Sequence, residues 1–447
     1  MRFNTRSASY GASLLTAIHL ASQIIAFFYR VALINLVGGE IMGLYQLVTP
    51  AYSVVMSVTA AGITAAVSRL SASYVARGDT RRLPQLVGTA LRLFFTLFAV
   101  AAALTAVFSD AISVHILGDA RTRLGLLVLL PCIFFTGIEN VHKNYFYGMK
   151  NVHPPAVSEL AEQLVRSAAI LILAAHFPNT DAERRVALMV LGLVVCEIGS
   201  AWLLRAWYKR DIGRRLLSGR SIEPPKLLRS IRGIAVPVSL SALALNAIGS
   251  ANAIIIPQRL VASGLSAAEA LSVYGIVFGM VLPLIALPMA CVGALSLVMT
   301  PRLSEAAAVG DGKRVARTVS RAMRATTLIM VPALGFLAVF GKPLVDLLYQ
   351  SSIDSLSMAL LCLSFLFSAY QGVSGGILNA LGLQGRSAAN FISSGAVQLI
   401  VTWLAVARPG LRLLGVILAM CIASLMGMAL NLLDLRKALR ERRAQRV

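Results

Sequence analysis

Charged residues are scarce in this sequence. Only 13% of its 447 residues are charged, 57% are hydrophobic, and the mean hydropathy is +0.78. Apolar runs near or above the roughly 18 to 20 residues that cross a hydrocarbon core recur along the whole chain. The short strands of alternating polarity that a transmembrane barrel needs are missing. The composition therefore predicts an all-α polytopic membrane protein.

Motifs of enzymes and metal sites are also missing. The sequence has no Gly-rich phosphate loop ending in Gly-Lys-Ser/Thr, no His-Glu-x-x-His, no Cys-x-x-Cys and no Gly-x-Ser-x-Gly. Its 5 cysteines lie in apolar segments without ligand spacing, and its 5 histidines are scattered. We therefore expect no enzymatic activity, no ATP-driven step, no bound metal and no cofactor.

Apolar runs predict about twelve transmembrane helices. The expected spans cover residues 10–36, 42–66, 85–108, 121–138, 156–177, 185–207, 233–256, 271–299, 325–340, 356–378, 388–407 and 412–434.

Acidic residues are few beside basic ones, 19 against 41, which gives a net charge of +22. If the N-terminus lies in the cytoplasm, most of the basic residues fall in loops on the cytoplasmic side. This asymmetry predicts that both termini are cytoplasmic. The basic tail "RKALRERRAQRV" is then a topology anchor that attracts anionic lipid head groups, and no nucleic-acid partner is expected.

One loop of the sequence occurs twice. "RLSASYVARGDTRRLPQLVGTALR" follows helix 2, and "RLSEAAAVGDGKRVARTVSRAMR" follows helix 8, with matched Arg-Leu-Ser and Gly-Asp. A weaker pair is "YGMKN" and "LGLQG". The repeat predicts two homologous six-helix lobes of the same orientation, residues 1–225 and 226–447, related by an axis along the membrane normal and enclosing a central cavity. The basic stretch around Pro224 and Pro225 is the expected cytoplasmic linker.

A longer run connects the chain to a known family. "FFYRVALINLVGGEIMGLYQLVTPAYSVVMSVTAAGITAAVSRLSASYVARGD", "SELAEQLVR" and "YGIVFGMVLPLIALPMACVGALSLVMTPRLSEA" resemble the flippases for oligosaccharides and lipid-linked precursors related to the stage V sporulation protein B family. Within the first run, Gln46 ends the matched Gly-Leu-Tyr-Gln. The resemblance covers nearly the whole chain. That family belongs to the larger group that holds the multidrug and toxic compound extrusion transporters.

The resemblance implies a function in the bacterial plasma membrane. The substrate would be a polyprenyl-diphosphate-linked glycan, moved from the inner to the outer leaflet by alternating access for cell-envelope or spore-wall synthesis. Its partners would be membrane lipids and cell-envelope synthesis proteins, with an ion gradient or the membrane potential as energy source. A cation-coupled multidrug exporter and a non-transport scaffold in envelope synthesis stay open as alternatives.

Helix 5 carries a polar stripe inside its span. Glu159, Glu162, Gln163 and Arg166 are spaced so that all four share one helix face, with Arg166 near mid-bilayer. A charge at that depth costs about 2.5 to 3.5 kcal/mol, so the face must contact protein or water. Two interpretations stay open: an internal ion pair between a glutamate and Arg166, or a cavity site in which Arg166 binds the diphosphate and Glu162 positions it.

Other polar residues extend the candidate site. Arg30 in helix 1 either extends to the outer interface or faces the cavity, the second being favoured because the family places an arginine there. Gln46 in helix 2 and Asn252 in helix 7 are further candidate substrate contacts; Asn252 stands near where relatives often carry an acidic residue. Arg259, at the outer end of helix 7, is an interfacial anchor or a gate. Glu197 in helix 6 is a buried ion-pair partner or part of a proton relay.

The second half contains amides where the first half has charges. Most of these amides are expected to form hydrogen bonds between helices, and a minority to contact sugar hydroxyls; the six are Asn246, Asn252, Gln371, Asn379, Asn390 and Gln398. Gly372 and Gly376 form a Gly-x-x-x-Gly pattern that predicts close helix packing.

Overall fold

The computed structural model describes residues 8–177, 180–214, 223–308, 311–349 and 353–444. Throughout these ranges the chain is almost entirely helical and contains no strand. Eleven of the described helical segments are long and apolar enough to cross a membrane. The expected span at 156–177 is absent from that set because of its charges, although it forms a 24-residue helix, about 36 Å long at about 1.5 Å per residue. The prediction of an all-α polytopic membrane protein is confirmed.

The chain separates into two compact units, Met1–Ser250 and Ala251–Val447. The homologous halves expected at residues 1–225 and 226–447, and the cavity expected between them, stay predictions. Parts of the linker (residues 215–222), Gly310 of the repeated loop and the last three residues of the tail lie outside the described ranges.

The first unit is built from eight complete helices among its described residues and from the start of a ninth. Their bounds are α1 Ala8–Val37, α2 Gly39–Met56, α3 Gly62–Ala76, α4 Arg82–Val107, α5 Ser109–Ala111, α6 Arg123–Gly148, α7 His153–His176, α8 Ala182–Arg214 and α9 Pro224–Ala262. Two π-helical turns, Ser57–Ala61 and Ile112–Leu117, and a 3₁₀ turn, Ala120–Thr122, interrupt this series.

The second unit continues from the end of α9. Its described helices are α10 Ala267–Ile276, α11 Leu282–Ala308, α12 Gly312–Tyr349, α13 Ser355–Ala380, α14 Gln384–Ala405 and α15 Arg412–Ala444, with a π-helical turn at Val277–Val281 between α10 and α11.

The repeated loops end their helices in the same way. After α3 the Asp79 N–H bonds the Tyr74 carbonyl at 2.9 Å, and after α11 the Asp311 N–H bonds the Ala306 carbonyl at 3.0 Å. After α3 this is the six-to-one bond of a Schellman cap, in which Gly78 takes the left-handed conformation (φ 76°). The two bonds span the same number of residues, and the internal repeat stays a prediction.

A π-helical turn brings α9 close to the helix pair α2 and α3. A π turn interrupts the regular hydrogen bonds between residues four apart, and just after Ser57–Ala61 the Gly62 N–H donates to Ser239 Oγ of α9 at 3.2 Å. A Cβ at Gly62 would overlap the Ala235 carbonyl oxygen. Only glycine permits this approach of the two backbones.

Three of the six amides form the predicted side-chain bonds between helices, as seen among the described residues. The donors and acceptors are Asn246 to Ser57 at 2.8 Å, Gln371 to Ser394 at 3.0 Å, and Asn390 to Asp434 at 2.8 Å and Asn431 at 3.0 Å.

The Gly-x-x-x-Gly prediction for α13 is wrong in its residues. A Cβ at Gly372 or Gly376 would meet no described atom within 4 Å. Gly375, between them, is the packed position: its Cβ would lie 3.1 Å from Ser387 Oγ and 3.4 Å from Asn431 Nδ2. Which glycine of α13 packs closely depends on where the neighbouring helices lie. The Gly-x-x-x-Gly pattern alone does not specify their positions.

Candidate functional site

A cavity of about 290 Å³ lies within the first unit, at the low end of the range for ligand pockets. Its walls come from α1, α2, α6, α7 and α8. Four of the predicted site residues line it: Arg30, Gln46, Gln163 and Arg166. Glu197 lines it as well. Side chains that stand far apart in the sequence thus share one polar cavity among apolar helices.

Arg166 lies beside two carboxyl groups. Its guanidinium donates to Glu162 one turn earlier on α7 and lies 3.8 Å from Glu197 Oε1 on α8. Its side chain is 29% exposed, and its Nε has no hydrogen-bond partner among the described residues. The ion-pair interpretation of the stripe is therefore present in the geometry, and the same guanidinium also faces the cavity.

Gln163 occupies the cavity wall beside this pair. It is 8% exposed, and its amide donates to Ser167 Oγ at 3.3 Å on the same helix. A buried amide with one such local bond keeps further hydrogen-bonding capacity for a polar group in the cavity.

Arg30 is the second guanidinium of the cavity. It forms no ion pair with any residue in the described part of the chain, and it lies within electrostatic range of Tyr29 and Tyr45, as does Arg166. The two arginines therefore converge on one region from α1 and α7. Arg30 thus lies in the cavity wall, and its role toward a substrate stays a prediction.

Glu197 is the most deeply buried charge-bearing group of the cavity wall. It is 5% exposed, and the Glu139 carboxyl and the Thr136 hydroxyl of α6 lie close to its carboxyl. Its Oε2 has no hydrogen-bond partner in the part of the chain that is described. Glu139 has its own cation, Lys143, whose Nζ lies 3.4 Å away.

Four predicted site residues are not in the cavity wall, and one of them is Glu162, which pairs with Arg166. Glu159 points to α1, where its Oε1 lies 3.4 Å from His19 Nδ1. Asn252 is 7% exposed in the second unit. Arg259, also in the second unit, donates to the Trp403 carbonyl at 3.0 Å and stacks over the Trp403 ring with its Cζ at 4.1 Å from the centroid. For Arg259 this contact favours an anchor.

Three groups that can bind a metal ion lie together beside the cavity. The carboxylate oxygens of Glu162 and Glu197 and the Cys196 sulfur lie within 4.8 Å of one another. The Arg166 guanidinium already provides a positive charge among them. We therefore assign no metal to this group.

Sequence reasoning missed several polar residues around the cavity. Glu139 and Lys143 were missed because the fourth span was expected to end at residue 138, whereas α6 continues to Gly148 and leaves Glu139 only 2% exposed. The two charges four residues apart in "GIENVHK" were the available signal. Tyr45 and Tyr52 line the cavity from α2 and carried no separate signal, since aromatic residues are common in membrane helices.

Comparison with known proteins identifies the family. The family model described as polysaccharide biosynthesis protein matches residues 9–307. The chain belongs to this polysaccharide biosynthesis family. Membership agrees with the resemblance noted in the sequence and makes the chain a membrane transporter of that family.

Two named relatives come from Bacillus subtilis (strain 168). The chain is 26% identical to stage V sporulation protein B of Bacillus subtilis (strain 168) over 412 residues, 92% of this chain and 80% of the relative. It is 21% identical to the lipid II flippase MurJ of the same organism over 366 residues, 76% of this chain and 66% of the flippase. The chain is therefore similar to a sporulation protein and to a lipid II flippase.

Solved structures agree on the fold. An inward-facing multidrug resistance transporter of the MATE family, in the MOP superfamily, superposes with a TM-score of 0.77 at 14% identity, covering 97% of this chain and 99% of the other. At this identity the likeness shows the two-lobe transporter fold alone.

Proposed function

We propose that this protein flips a polyprenyl-diphosphate-linked glycan precursor from the inner to the outer leaflet of the bacterial plasma membrane. The observation that carries the proposal is the pair of guanidinium groups, Arg30 and Arg166, on the wall of one intramembrane cavity. Guanidinium groups match the oxygens of a diphosphate in charge and geometry. Relatives with flippase and sporulation names support the same class of substrate.

Desolvation explains why such groups belong in a cavity. An arginine at mid-bilayer costs about 2.5 to 3.5 kcal/mol on insertion scales. Glu162 offsets part of that cost for Arg166, whereas Arg30 has no ion pair among the described residues. An anion entering the cavity would gain two charge-assisted contacts. Gln46 and Gln163 on the same wall would offer hydrogen bonds to sugar hydroxyls.

The transport cycle we propose is alternating access, with the head group in the cavity and the polyprenyl tail in the bilayer. Both termini would lie in the cytoplasm, as the distribution of basic residues predicts. An ion gradient or the membrane potential would supply the energy, and synthesis enzymes of the cell envelope would supply and consume the substrate.

Complementation of a flippase-deficient strain tests the proposal. Arg30→Ala and Arg166→Ala should each abolish growth rescue while the protein inserts at normal levels. Arg123→Ala is the matched control, because Arg123 is 50% exposed and pairs with Asp110 at 2.9 Å outside the cavity. Full rescue by both cavity variants would refute the proposal. Loss of rescue together with retained efflux of cationic dyes would favour a drug exporter.

A further inference from the structure

Arg166 serves two carboxyl groups with one positive charge. Glu162 accepts its hydrogen bond, and Glu197 Oε1 lies 3.8 Å from the same nitrogen. Lys143 of α6 is a cation that lies 3.4 Å from a different carboxyl, that of Glu139. Glu197 therefore depends on Arg166 for its counter-charge.

The surroundings of Glu197 favour binding of a proton if Arg166 moves away. It is more than nine-tenths buried, it lines the cavity, and its Oε2 has no hydrogen-bond partner in the described ranges. The polar and titratable groups around it come from four helices: Tyr52 of α2, Cys132, Thr136 and Glu139 of α6, Glu162 and Arg166 of α7, and Cys196 of α8.

An anionic head group in the cavity would compete for the guanidinium. Two negative phosphates attract Arg166 more strongly than a single carboxylate does, because the Coulomb energy scales with charge. As Arg166 turns to the ligand, Glu197 is left as an uncompensated carboxylate in an apolar span. A buried carboxylate in that position is neutralised most cheaply by binding a proton.

We propose that binding of a diphosphate head group at Arg166 is linked to uptake of one proton by Glu197. The inference rests on the proposed function, since it requires an anionic ligand in the cavity. In the forward step a proton from solvent binds Glu197 Oε2 while the ligand phosphate replaces Glu197 at Arg166. When the ligand leaves, Arg166 returns and the proton is released, so that protons and substrate share one thermodynamic cycle.

Linkage gives the sign of the effect. If binding takes up a proton, affinity for the diphosphate weakens as pH rises, by up to about tenfold per pH unit. Ionisation of the ligand acts in the opposite direction, because a more negative diphosphate binds arginine better. The contribution of Glu197 is therefore the difference between the wild type and a variant that lacks the carboxyl.

Calorimetry of the purified full chain in nanodiscs tests the inference, with inorganic pyrophosphate and farnesyl diphosphate as probes. Titration in buffers of different ionisation enthalpy counts the protons exchanged per ligand. Wild type should take up close to one proton more than Glu197→Gln. Glu183→Gln is the matched control on the same helix, since Glu183 instead accepts the Leu124 N–H at 3.1 Å, and it should match the wild type.

The outcomes separate the two proposals. Equal proton exchange in wild type and Glu197→Gln, with both proteins binding, overturns the linkage and leaves the proposed function standing. Failure of the wild type to bind either probe refutes the proposed function itself. Should Glu197→Gln fail to fold, difference infrared spectroscopy of the wild type decides: ligand binding should add a protonated-carboxyl band, and its absence overturns the inference.

Discussion

At the scale of single residues, the account depends on one guanidinium with competing partners. Arg166 is held by Glu162 on its own helix, faces the cavity, and approaches Glu197. In the proposed cycle the ion pair and the anion contact are successive states of the same side chain, because its five donors exceed what one carboxylate can use. The two interpretations left open by the sequence are compatible.

Arg166→Lys should separate charge from geometry. Lysine keeps the positive charge but loses the planar fork that binds two phosphate oxygens at once. A lost charge-assisted hydrogen bond of about 1.5 to 3 kcal/mol weakens binding by about 10- to 150-fold. Titration of the purified variant with farnesyl diphosphate should show that weakening, with Arg166→Ala weaker still. Wild-type affinity in Arg166→Lys would show that geometry has no role.

At the scale of helices, the first unit is held together by close approaches that allow no extra atoms. Gly62 lies under the Ala235 carbonyl, and Gly137 lies under the Phe94 ring. Membrane helices gain stability from such contact, since lipid removes the hydrophobic drive for helices to associate. The cavity wall is therefore supported by small residues around it as well as by its own polar contacts.

Gly62→Ala should destabilise the protein. Its Cβ would overlap a backbone oxygen of α9, which cannot rotate away, and overpacking of this kind costs about 1 to 3 kcal/mol. Thermal unfolding in detergent, followed by size exclusion, measures the loss. Gly199→Ala on α8 is the control, because its Cβ would meet no described atom within 4 Å. Equal melting temperatures of Gly62→Ala and Gly199→Ala would contradict the packing argument.

Ser239→Ala should also weaken the contact between α3 and α9. It removes the acceptor of the Gly62 N–H, and a buried donor without a partner costs about 1 to 3 kcal/mol. Ser241→Ala provides the comparison, since the Ser241 hydroxyl donates to the Pro237 carbonyl at 2.9 Å on its own helix. In the same unfolding assay Ser239→Ala should have a lower melting temperature than Ser241→Ala. The reverse order would contradict a stabilising role for the bond between Gly62 and Ser239.

At the scale of the whole molecule, the family, the two compact units and the membrane-spanning helices describe a transporter. Orientation in the membrane stays a prediction from the basic residues. Cysteine labelling tests it in a chain whose five native cysteines are replaced. Lys313→Cys should react with an impermeant reagent only from the cytoplasmic side, and Arg123→Cys only from outside. The opposite result, with Lys313→Cys reacting only from outside and Arg123→Cys only from the cytoplasmic side, would contradict the predicted orientation.

The sequence predicted most of the fold because transmembrane helices are encoded locally, by apolar runs and by Gly-Asp turns such as the one at Gly78. It predicted the Glu162 and Arg166 pair for the same reason, since both lie on one helix face. Glu139 and Tyr45 depend on how distant helices pack, and no local pattern specifies that. Gly375 was missed in favour of a glycine pair with better spacing, because packing partners lie on other helices.

The central claim is that the cavity carries a diphosphate-linked glycan across the membrane. Proteoliposomes containing a fluorescent polyprenyl-diphosphate disaccharide test it most directly, with transfer between leaflets followed by a quencher added outside. The account predicts that wild type and Arg123→Ala speed the transfer, and that Arg166→Ala and Arg30→Ala leave it at the rate of empty vesicles. Transfer by Arg166→Ala at the wild-type rate, or no transfer by the wild type, would contradict the account.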